Sequence, residues 1–300
     1  MMNWIKIIAA LTMFGFFSIV NAQGYCDGPN ESEDSDGVIT FQGTQDDIDC
    51  AFAPDEYTIT IYKMALCTSA PTRPTVSDTY DVSSCVDIIN SPDGQEVNLA
   101  AGGETVLSDV TRPANNSYQY GYILMGNTFG IKAKKQFTNI MHTYQDGTSG
   151  NYCWTKDATA YASDNDNVGW TDPSPLVECG GSGGTAGVFN EILDQFDTDD
   201  YEEGPISVNG GTLSADLIED SGGSGGLLAT ASQTANRLFG VQTFTSPVVV
   251  TPSSSVFTVS FGVNQASSMW FFEDIGRGNP DQYQVYAIGS GPFSTFMTVE

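Results

Sequence analysis

The sequence predicts an all-β protein built as two β-sandwich-like domains, the first stapled by disulfides. Three observations predict it. Apolar and polar residues alternate with period two in run after run. Clusters of Gly, Pro, Asn, Asp and Ser separate those runs at short intervals. Six cysteines lie in a chain that opens with an export leader.

The leader comes first in chain order. "MMNWIK" carries one positive charge, Lys6, and is followed by the apolar run "IIAALTMFGFFSIV". Val20 and Ala22 occupy the −3 and −1 positions of a small-residue cleavage site, which predicts a signal peptide over 1–22. The apolar run is shorter than the roughly 20 residues that a membrane span needs. The mature chain is expected to start at Gln23, to have no membrane span, and to be secreted, displayed at the cell surface or held in a periplasm.

The cysteines fit an oxidising compartment. Cys26, Cys50, Cys67, Cys85, Cys153 and Cys179 form no C-x-x-C pair, which argues against a zinc ribbon or a thioredoxin-type motif. Nearest-neighbour pairing is expected: Cys26–Cys50, Cys67–Cys85 and Cys153–Cys179. Cys67 closes one strand and Cys85 opens the next apolar stretch, so antiparallel neighbours would bring them together. The other two pairs bracket acidic loops whose self-repulsion a bridge would contain.

Strand signals dominate. "EYTITIYKMALC" places Tyr57, Ile59 and Ile61 on one face and Thr58, Thr60, Tyr62 and Met64 on the other. "SYQYGYILMG" lines up Tyr118, Tyr120, Tyr122 and Leu124, and "VFTVSFGVN" lines up Phe257, Val259, Phe261 and Val263. "SPDG" at 91–94 and "QDG" at 145–147 are turn chemistry. "VFNEILDQF" has a weak helical pattern on Val188, Ile192 and Phe196, and "LLATASQTANRLFG" reads equally as a helix or two strands. The Pro- and Gly-rich stretch 171–187 marks a boundary between a disulfide-stapled domain, 23–180, and a cysteine-free domain, 188–300.

The order of signals over 56–137 is a strand ending in a cysteine, a second cysteine before "VDII", then "GQEVNLAAGGETVL" and "YQYGYILMGNTFGIKA". It resembles exported bacterial β-sandwich proteins with an immunoglobulin- or prealbumin-like core. The resemblance implies the fold and carries no family function.

Charge narrows the partners. The chain carries −27. After Lys156 only Arg237 and Arg277 are basic. Such a surface repels nucleic acid and anionic membranes. Charged residues make up only 16%, so Ser, Thr, Asn, Gln and Gly must finish the surface.

Candidate chemistry is sparse. Gly180-x-Ser182-x-Gly184 in "CGGSGG" matches a nucleophile-elbow pattern, but a triad needs a histidine downstream and the only one, His142, lies upstream. That run and "GGSGG" at 222–226 read as Cβ-poor joints, one of them between the domains. No enzyme is expected. "NESEDSDG" offers Asp34 and Asp36, "DNDNVG" offers Asp164 and Asp166, and "DTDDYEEG" offers Asp197 and Asp199. These oxygen-rich loops are either calcium sites, calcium being the one cofactor they suggest, or solvated acidic segments. In "GIKAKKQF", Lys132 and Lys134 share a face if the stretch is one strand. They are candidates for contact with an acidic patch on another copy. The expected function is an exported, non-enzymatic surface protein, a structural or adhesive subunit able to self-assemble. The alternatives are a carbohydrate- or ligand-binding module using Trp154, Trp170 and Trp270, and a secreted hydrolase.

Overall fold

The computed structural model describes residues 6–8, 26, 31–34, 36–42, 48–99, 104–106, 111–143, 148–162, 176–196, 200–208, 210–220, 225–254, 257–263, 265–273, 282–291 and 293–299. These residues form strands and connecting loops in an all-β architecture. Strands are numbered in chain order.

The largest sheet has ten strands. Its main path runs β12 (Ala158–Tyr161), β14 (Phe189–Ile192), β9 (Thr128–Lys132), β5 (Glu56–Cys67), β8 (Asn116–Gly126), β18 (Arg237–Val250), β16 (Gly211–Glu219) and β15 (Glu202–Val208). β6 (Cys85–Asn98) joins β5, and β17 (Leu227–Leu228) joins β16. The second sheet has eight strands. Its path is β13 (Val177–Gly180), β11 (Ser149–Thr155), β10 (Lys134–Thr143), β21 (Gln282–Ser290), β20 (Ser267–Glu273) and β4 (Ile48–Phe52). β3 (Val38–Phe41) pairs with β10 and with β2 (Glu31–Glu33). A small sheet runs β22 (Ser294–Val299), β19 (Phe257–Gly262), β1 (Lys6–Ile8) and β7 (Glu104–Val106).

One hydrophobic core draws on all three sheets. Phe41, Phe137, Phe271 and Tyr283 cluster on the second sheet, with ring centroids 4.8–5.8 Å apart. Tyr57 of the large sheet meets Phe293, which also meets Phe261 of the small one. The large sheet carries a second apolar cluster on its opposite face: Ala65, Cys67, Tyr122, Leu124, Ile218 and Phe239.

The boundary at 171–187 does not separate two sets of sheets. β8 pairs with β18, β10 with β21 and β4 with β20, so strands from both halves interleave in both large sheets. Glycine and proline content reports local turn chemistry, while strand partners are chosen by long-range fit, so the punctuation at 171–187 does not divide the sheets.

Other local expectations shift for identifiable reasons. "VFNEILDQF" supplies the strand β14, wedged between β12 and β9, because pairing on both edges outweighs a weak helical period. "LLATASQTANRLFG" becomes the short β17 and the start of β18. "SPDG" is an insertion within β6: the register jumps from Ile61–Gln95 to Lys63–Asn90, and Gly94 has φ +80°. The same irregularity in β5 flips its phase. Met64 and Leu66 therefore join Ile61 in the inner core, where strict alternation placed Met64 outside. Tyr118 likewise enters the main core while Tyr122 and Leu124 belong to the outer cluster, with Tyr120 packed against it. "QDG" at 145–147 lies outside the described residues.

The disulfides pair as nearest neighbours: Cys26–Cys50, Cys67–Cys85 and Cys153–Cys179. Cys67 and Cys85 are direct register partners on β5 and β6, and Cys153 and Cys179 on β11 and β13.

Candidate functional site

The outer face of the large sheet carries a second apolar cluster, buried beneath a flap and rimmed by half-buried aromatic rings, and that rim is the candidate site. Alternation along four strands builds the cluster: Ala65 and Cys67 from β5, Tyr122 and Leu124 from β8, Phe239 from β18 and Ile218 from β16. Register sets Ala65 beside Tyr122 and Leu124 beside Phe239. Half-buried Tyr62, Tyr80, Tyr120 and Val241 rim the patch.

A flap, residues 68–84, crosses this face. The Cys67–Cys85 bridge closes its base, and the Thr68 N–H donates to the Ser84 carbonyl there. Thr72 and Asp81 bridge its two arms. Its tip is a tight turn in which the Thr75 hydroxyl accepts from the Ser77 and Asp78 N–H groups at 3.2 and 2.9 Å. Three contacts press it down. Tyr80 stacks on Phe239, centroids 4.5 Å apart at 12°. The Leu228 N–H donates to the Thr75 carbonyl. Arg73 reaches the fully buried carboxylate of Asp216 and donates to the Glu203 and Ala215 carbonyls.

Electrostatics keep the rings neutral. Burial pushes the Tyr122 phenol up, and Asp87, to whose Oδ1 it donates at 3.3 Å, pushes further. Burial also raises Tyr80, with Asp220 adding to it. Burial raises Asp216 above its ordinary value, and the Arg73 guanidinium pulls it part of the way back. The rings beneath the flap are thus neutral and buried, and only the half-buried rim of Tyr62, Tyr80 and Tyr120 is partly accessible. Arg237 lies 3.9 Å over the Tyr62 ring and blocks one side of it. On the inner side a narrow crevice runs between the large and small sheets, lined by Met64, Ile123, Leu213, Gln242, Phe244 and Phe293.

The residues singled out in the sequence are distributed as follows. Ser182 is exposed on the loop after β13, and His142 lies on β10 opposite Ser149 and Gln284. Two glycines of "CGGSGG" are packing positions. A Cβ on Gly184 would come 2.3 Å from the Trp154 ring, and one on Gly180 would come 3.0 Å from it. Trp154 is 6% exposed under this loop, so it is no exposed aromatic platform. Trp270 is half-buried, and Trp170 lies outside the described residues.

The two lysines do not share a strand. The chain turns from β9 into β10 at the buried Ala133, whose N–H donates to Thr155 Oγ1, and the Lys134 N–H donates to Asp55. Lys132 Nζ is 2.7 Å from Glu56, whose other oxygen accepts from Asn98 Nδ2. The lysine lowers the Glu56 carboxyl and is itself raised, so both stay charged. Lys134 Nζ donates to the Ser182 and Gly184 carbonyls, 2.6 Å each, and lies over the Tyr152 and Trp154 rings.

Of the acidic loops, Asp34 belongs to the β2–β3 turn. Its Oδ1 accepts from the Asp36 and Val38 N–H groups, both at 2.9 Å. Asp36 is exposed. Asp164, Asp166, Asp197 and Asp199 lie outside the described residues. Among the described residues, no three His, Cys, Asp or Glu side chains gather to hold a metal ion. Sequence reasoning missed the flap and the outer patch. The signal was present in the tyrosines of "TYDVSS" and "QYGY" and in Arg73 between two prolines, but nothing local tied them to Phe239 or Asp216.

No protein-family model matches the chain, and no curated protein and no solved structure is a match to it.

Proposed function

We propose that this chain is an exported, non-enzymatic surface protein that serves as a structural or adhesive subunit. The observation that carries the reading is the placement of three disulfides in an all-β scaffold, two of them between directly opposed residues of neighbouring strands. Bridges of this kind persist where the medium is oxidising. They suit a scaffold that must hold its shape outside the cell. The test is fractionation of the native source with thiol labelling before reduction. The reading expects a chain beginning at Gln23 in the surface or medium fraction with no labelled thiol. Full-length chain with free thiols in the cytoplasm would sink it.

A second reading, a secreted carbohydrate- or ligand-binding module, draws support from the half-buried tyrosines around the outer patch. It expects signals on a glycan array that Tyr120→Ala removes. An array blank at high protein concentration would dismiss its carbohydrate form.

A further inference from the structure

We propose that the β19 edge facing away from β22 is a seam at which a second copy of the mature chain pairs, β19 against β19 across a two-fold axis. This rests on the export reading, because the strand now on that edge comes from the leader. Lys6 and Ile7 of β1 pair parallel with Thr258 and Val259, and β1 alone separates β19 from β7. Leader removal therefore takes away the middle strand of the small sheet. β19 keeps its six-residue ladder to β22, and the edge that β1 covers at Thr258 and Val259 loses its partner.

Two features direct this edge toward another copy. First, β19, Phe257–Gly262, lacks charge and proline, two of the usual edge protections, and Val259 and Phe261 anchor it in the core. Second, the chain's −27 charge opposes self-association over most of its surface, yet residues 238–272 carry no charge at all. The strand at the seam lies within that stretch, so it brings no charge of its own to the contact. A strand pairing with itself antiparallel satisfies a closed two-fold symmetry and leaves no further edge at the seam.

The test is sedimentation velocity on chain 23–300, prepared directly, over a range of concentrations. The expected result is a concentration-dependent dimer. Thr258→Lys with Ser260→Lys should weaken it by about tenfold or more, equivalent to about 1.4 kcal/mol, with the far-UV spectrum unchanged. If that variant fails to fold, a peptide of residues 4–10 added in excess should convert the unmodified dimer to monomer by reoccupying the edge. A monomer at every concentration, meaning that β7 or nothing closes the gap, overturns the proposal. So does a dimer that neither variant nor peptide affects. Because the sample begins at residue 23 by preparation, a leader retained in cells would count against the export reading alone.

Discussion

Arg73 on the flap clamps Asp216 on β16: Nε lies 2.9 Å from Oδ2, and Nη2 lies 2.6 Å from Oδ1. The Asp216 side chain is 0% exposed and that of Arg73 is 31% exposed. Removing one partner of a buried pair strands the other charge, at a typical cost of about 3 kcal/mol. Arg73→Ala should lower unfolding stability by roughly that amount in chemical denaturation, and Arg73→Met with Asp216→Leu should regain most of it. A loss under about 0.5 kcal/mol for the single variant would mean that the flap is held by other contacts.

Gly184→Ala places a methyl group against the Trp154 ring, a clash that costs about 1–3 kcal/mol in a packed site. Gly181→Ala meets nothing within 4 Å and should be close to neutral. Melting temperature and tryptophan fluorescence of the two variants separate a packing role from a hinge. Equal behaviour would restore the hinge reading.

Tyr118 donates its hydroxyl to the Ala114 carbonyl at 2.8 Å, a tyrosine-corner arrangement at the start of β8. Tyr118→Phe should cost about 1 kcal/mol with no change in strand content. A neutral result by denaturant titration would show that water replaces the bond.

Burial raises the phenols of Tyr57, Tyr80, Tyr118 and Tyr122 above the usual tyrosine value. Between the unfolded and folded values the native state holds the extra protons. Their contribution is therefore complete below about pH 10 and is lost as pH climbs above it, by about 1.4 kcal/mol per unit for each such group. Alkaline titration should show these tyrosines ionising together with unfolding, read as tyrosinate absorbance against circular dichroism. Ionisation of all tyrosines near pH 10 in a still-folded chain would contradict this.

Much of the fold was legible locally. Tyr57, Ile59 and Ile61 are buried as their alternation predicted, and so are Val259, Phe261 and Val263. Disulfide pairing followed from cysteines that end one strand and open the next. The site was less legible. Trp154 looked like an exposed ring because nothing adjacent in sequence covers it; its cover is a loop more than twenty residues later, held down by Lys134. Lys132 and Lys134 looked like one face because period two assumes a straight strand, and the chain turns a corner at Ala133.

The sequence by itself determined the all-β class and the buried faces at 57–61 and 259–263, and cysteine spacing pointed to the observed partners, because each depends on residues close enough to sense one another through backbone period and loop length. Only the tertiary structure decided that strands from the two halves share both large sheets, that glycine-rich 179–184 is a lid on a tryptophan, and that Arg73 belongs to Asp216. Those relationships join residues from about 25 to more than 200 positions apart. They are selected by shape, register and buried charge, none of which a local pattern encodes.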